Sequence, residues 1–155
     1  MIMKFAGPAL AVALSIGAMA SVAMAAGAPA DLVKERQDEM KTNSDTMKAL
    51  LGILKGDKPY DAATVKGMSD GIAASFDKMW KDGVWDTSTQ SITTENKAKP
   101  EIWSDAAGFE KARKDAMDAL AALGASTDLA GMKAALPKLG AACKGCHETY
   151  RQPEN

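Results

Sequence analysis

The chain has 155 residues, a formal net charge of −1, two cysteines, a single histidine, ten methionines and few aromatic residues. That length suits one domain. With no basic cluster to neutralise phosphates, a nucleic-acid partner is poorly supported.

Residues 1–25 read as an export signal rather than as part of the fold. Lys4 makes a short basic start, Phe5 to Ala20 is largely apolar, and Ala23-Met24-Ala25 supplies a small-x-small cleavage site. An uncleaved anchor is the alternative, but the apolar run is at the short end for spanning and is interrupted by Gly7 and Pro8. The mature domain is therefore expected to cover residues 26–155, in a bacterial periplasm. No second hydrophobic stretch of spanning length follows.

From Asp31, a plausible N-cap, Leu32, Val33, Arg36, Met40, Met47, Leu50, Leu51 and Leu54 recur at three- and four-residue steps. The pattern predicts an amphipathic helix stopped by Gly56 and Pro59. A second helix is expected from a cap at Asp61 to Gly83, with Val65, Met68, Ile72, Phe76, Met79 and Trp80 inward. Gly67 and Gly71 weaken its intrinsic preference and are read as places where another helix, or a flat ring, comes close. Residues 84–102 fit neither period and are expected to form a long connection able to cover one rim of a cofactor, with the Trp103 ring tucked inward after it.

A third helix is predicted from Ser104 or Asp105 to Leu123, with Phe109, Ala112, Ala116, Met117 and Leu120 on its apolar face. Gly124 ends it, and Ser126, Thr127 or Asp128 caps a fourth that runs through Leu129, Met132, Leu136 and Leu139 to Cys143, Cys146, His147 and Tyr150. Pro137 conflicts with a regular helix, so the fourth is either bent there or made of two pieces. Four amphipathic helices with almost no β-branched runs predict an all-α, antiparallel four-helix bundle. Its many alanines and methionines suit close helix approach and an irregular, cofactor-shaped interior.

Cys143-Lys144-Gly145-Cys146-His147 is the c-type haem attachment pattern. On a helix, residues 143 and 146 lie about one turn apart on one face, so both thiols can add to the vinyl groups along one porphyrin edge. His147, four residues beyond Cys143, then lies near that face with an imidazole for the iron. The competing readings are a thioredoxin-like dithiol, which needs a strand before the pair, or a disulfide or metal site. A cofactor-free periplasmic helical-bundle adaptor would leave both cysteines without purpose.

With the C-terminal motif followed by Tyr150 and Arg151, the Arg36-Gln37-x-x-Met40 set and Lys99-Pro100-Glu101-Ile102-Trp103, the whole mature chain resembles cytochromes c′, the class II cytochromes c. Cytochrome c′ is an example of the up-down-up-down bundle, with haem c attached near the C-terminus, and the resemblance implies that topology here. It further implies one haem c held by thioethers from Cys143 and Cys146, with His147 as the proximal ligand. Arg36 and Gln37 would lie by the haem and its propionates, Arg151 near the proximal imidazole, and Glu95 where family members bring loop residues towards the haem.

The chain has no second histidine, so the other axial position depends on Met40. Met40 either covers an open distal site able to bind NO or CO, as the overall resemblance favours, or ligates the iron in a low-spin His/Met electron carrier. No acid–base pair or nucleophile arrangement suggests an enzyme. Periplasmic redox partners are implied, as is a homodimer through the first two helices, to which Leu51 or Ile53 would contribute.

Overall fold

A computed structural model describes residues 28–92 and 96–153. The export segment and Glu95 lie outside the described residues. The elements are α1 (Pro29–Lys55), α2 (Ala62–Lys81), a 3₁₀ turn (Thr87–Ser91), a short α3 (Glu101–Ser104), α4 (Ala106–Gly124) and α5 (Leu129–Tyr150). The long helices α1, α2, α4 and α5 form the antiparallel four-helix bundle, with α4 against α5 and α2, and α1 against α2. Among the described residues there is no strand, only an isolated antiparallel bridge between Ala98 and Arg151.

The helix ends follow local chemistry. Asp61, Asp105 and Asp128 each accept a bond from the backbone N–H three residues on, at 2.7, 3.1 and 2.7 Å, satisfying a donor that helix geometry leaves free. α1 departs from expectation: it starts at Pro29 after Ala28, so Asp31 sits in the first turn, where its charge favours the dipole, and is not the cap. Its other end closes through Gly56, whose φ of 89° is the left-handed conformation that glycine adopts freely.

The 84–102 connection is more ordered than its polar composition suggests. Asp86 accepts from Ser88 N at 2.8 Å and opens the 3₁₀ turn, and Asn96 Nδ2 donates to the carbonyls of Thr89 and Ile92 at 2.9 and 2.8 Å. The following strap is tied to the C-terminus by Lys99 N to Tyr150 O at 3.0 Å and Gln152 N to Lys97 O at 2.8 Å. Trp103 is partly buried, as expected, and its Nε1 donates to Trp85 O at 2.8 Å.

The main core joins Leu32, Leu50, Ile53, Val65, Ile72, Met79, Leu120, Leu123, Met132, Leu136 and Leu139, each worth about 1.5–3 kcal/mol in apolar burial. Ile53 is 2 % exposed, which removes it from any external contact surface, whereas Leu51 is 40 % exposed. Gly67 and Gly71 face open space, so no element among the described residues approaches them closely. α5 is continuous through Pro137. Pro137 and Lys133 are both on the exposed side, where water can satisfy the carbonyl that proline leaves without a helical donor.

A second, smaller cluster gathers Ile102, Phe109 and Tyr150 under the partly buried Trp80, Trp85 and Trp103. It fastens the end of α5 to the connection, and it forms one wall of a space lined also by α1.

Candidate functional site

Between α1, α2, the connection and the last turns of α5 lies a cavity of about 680 Å³, adjoined by a second of about 280 Å³ that shares Met40, Ser44, Phe76, Cys146 and His147 with it. The larger space falls in the size range of cofactor sites. Its rim bears Arg36, Lys41, Lys48, Lys97, Arg113 and Arg151 against, among the described residues, one carboxylate, that of Asp45, while the smaller space is mostly apolar.

α5 presents the attachment motif to both spaces. Cys143 and Cys146 are partly buried and unbridged, and His147 opens onto the cavities. Burial raises the Cys143 thiol, and burial together with neighbouring Cys143 pushes Cys146 up to about 11. These are neutral thiols at physiological pH, the opposite of the activated thiolate a dithiol oxidoreductase requires, and no strand precedes them among the described residues. Burial and then the charge of Arg151 lower the His147 imidazole, which keeps the ring neutral and a nitrogen lone pair available to a metal.

From α1 come Arg36, Gln37 and Met40. Arg36 is only 5 % exposed, and its described partners are a carbonyl, an amide and a ring. Its Nη1 donates to Val84 O at 3.1 Å, its Nη2 to Asn96 Oδ1 at 2.7 Å, and its guanidinium lies 4.6 Å from the Trp85 ring centroid. Burial lowers its pKa to about 10, so it stays cationic and poorly solvated beside the cavity, a strong site for an incoming carboxylate. Gln37 lines the larger space and Met40 both. Arg151 lines it too, with its N–H bonded to His147 O at 3.0 Å.

All the predicted site residues except Glu95, which is not described, therefore converge on one place. Sequence reasoning missed the aromatic wall. Trp80, Trp85, Phe109 and Tyr150 form a continuous aromatic array with successive centroids 4.9–5.4 Å apart. It also missed Asn43, although residues 36, 40, 43, 47 and 50 continue the inward stripe of α1 at steps of four and three.

The residues fit a covalently attached haem on their own evidence. Two unbridged thiols a turn apart, an adjacent neutral imidazole and a cationic rim suit an amphiphilic ring with carboxylates at one edge. Two buried donors in these walls, Trp85 Nε1 and Asn43 Nδ2, also have no partner among the described residues. A buried donor without an acceptor is destabilising, so these walls are built to receive something polar.

Comparison with known proteins agrees. The family model described as cytochrome c′ matches residues 31–151. Cytochrome c-556 of Rhodopseudomonas palustris is 34% identical over 142 residues, covering 89% of this chain and 94% of that protein. Cytochrome c′ of Pararhodospirillum photometricum is 36% identical over 127 residues, covering 80% and 98%. Among solved structures, a nitric oxide complex of a single-residue variant of cytochrome c prime from Alcaligenes xylosoxidans superposes with a TM-score of 0.71 at 32% identity, covering 82% of this chain and 98% of that one.

Proposed function

Because the chain belongs to the cytochrome c′ family, whose cofactor is haem c, we propose that it is a periplasmic one-electron haem protein with an open distal site for small neutral diatomics such as NO or CO. The observation that carries this reading is the convergence of Cys143, Cys146 and His147 on cavities whose opposite wall holds Arg36 and Met40. When bound, the haem supplies a one-electron iron couple and an axial position for a ligand.

The chain's own residues do the rest. Cys143 and Cys146 would hold the ring to α5 through thioethers, and His147 would offer its imidazole to the iron. Arg36 would receive a propionate, with Gln37 beside it, and burial together with the charge of Arg151 favours the neutral His147 imidazole. The apolar wall of Phe76, Met47 and Ile72 excludes water from the smaller space. The nitric oxide complex among the structural neighbours supports the open site. Residues 1–25 serve as the cleaved export signal, and residues 26–155 as the mature domain. Among the described residues no helix is long and apolar enough to cross a membrane.

A second reading is favoured by the position of Met40, which lines the same two spaces as His147 but from α1. Its thioether would then be the sixth ligand of a dedicated electron carrier. Optical and EPR spectra of the holoprotein in both oxidation states, with and without NO or CO, decide between them when Met40→Leu is compared. A high-spin resting state kept in the variant and altered by the gas supports the open site. A low-spin state that turns high-spin in the variant assigns Met40 to the iron.

A further inference from the structure

We infer that Asn43 is a distal hydrogen-bond donor, placed to bond the outer atom of a neutral diatomic ligand held on the α1 side of the haem. The inference rests on the haem reading above but not on the native role of Met40. Asn43 is 8 % exposed, lines the smaller cavity together with Met40 and His147, and its Nδ2 has no partner among the described residues. It follows Met40 by three residues on α1, so the two side chains share a face one turn apart.

If this space only required filling, an apolar side chain would be the better occupant, as at Met47, Ile72 and Phe76 around it. The amide is an exception that calls for an acceptor. The haem offers two kinds, its propionates and whatever binds the iron. The cations that would draw the propionates, including Arg36 and Lys97, line the larger cavity, and among the described residues no lysine or arginine lines the smaller one. The acceptor left for Asn43 is thus the partly negative outer atom of an uncharged ligand such as CO or NO. A donor at that position strengthens binding and slows release.

The test uses holoprotein carrying Met40→Ala, which leaves no thioether to compete for the iron, with and without Asn43→Leu. The C–O stretching band of the ferrous CO adduct is recorded, with the CO release rate. A hydrogen bond to the outer oxygen lowers the stretching frequency, so Asn43→Leu is expected to raise it and to speed release about 3- to 10-fold. Thermal unfolding of the CO-free holoproteins is the control. Removing a buried, unpartnered amide leaves their stability unchanged or higher, whereas an ordinary structural role lowers it. An unmoved band and rate, or a loss of stability with an unmoved band, overturns the inference. CO binding to the Met40→Ala protein but not to the unsubstituted one contradicts the open-site reading alone, and the band comparison still judges Asn43. A Met40→Ala protein that takes no CO contradicts both.

Discussion

Gly108 is held small by its neighbours. A Cβ there would come within 2.5 Å of Tyr150 Oη and closer still to Asp105 Oδ2, the two atoms that hydrogen-bond to each other at 2.8 Å. Gly108→Ala is expected to break that latch and lower the unfolding free energy of the holoprotein by about 1–3 kcal/mol in urea titrations. Tyr150 also sets an alkaline limit. Burial first, then the bond to Asp105, raise its phenol to about 12, above the ordinary value of 10. A raised pKa means the folded state holds the proton more tightly, so this stabilisation is complete below pH 10 and is lost as pH rises through about 12. Tyr150→Phe should flatten the fall in stability over that window, as thermal unfolding against pH will show. At this scale the sequence was legible where chemistry forces a spacing, as at Cys143, Cys146 and His147. It was not legible where a polar residue lies on an apolar stripe: Asn43 reads as a solvent residue until the burial of its neighbours is known.

Helix boundaries at Asp61, Asp105 and Asp128 were readable because an aspartate before an apolar-periodic run solves the donor problem of a helix start by itself. The caps are not equal. Asp128→Ala is expected to cost about 1 kcal/mol of unfolding free energy, the usual worth of a cap. Asp105→Ala should cost about 2 kcal/mol, because Asp105 also accepts the Tyr150 hydroxyl. The 84–102 connection resisted sequence reading for a physical reason. Its order comes from side chains of the loop, Asp86 and Asn96, bonded to nearby backbone, and from pairing with the distant C-terminus, none of which imposes a hydrophobic period. Ile53 was misplaced for the converse reason. Leu51 and Ile53 are both apolar near a helix end, and only packing into the shared core decides which faces inward. Pro137 gives an element-scale test of the continuous α5. With the proline inside a continuous helix and on its exposed side, Pro137→Ala should raise the unfolding free energy by about 1–3 kcal/mol.

The bundle as a whole separates two tasks. The most extensively packed helix pairs, α4 with α5, α2 with α4, and α1 with α2, enclose the apolar core, while a cavity lined by α1 and α5 leaves room for a large flat group. Because α5 brings the anchors and α1 the opposite wall, the fold itself determines which residues face the two sides of that group. The exposed Leu51 on α1 remains the candidate for a contact between two copies, and Leu51→Glu should shift the sedimentation of any dimer towards the monomer. The central claim, that Cys143 and Cys146 hold a haem in this space, is tested most directly by denaturing the matured protein and extracting it with acidified organic solvent. The account predicts that the haem spectrum stays with the polypeptide, on the peptide that contains Cys143 to His147. Haem that passes into the organic layer, or a matured chain that contains none, would contradict it.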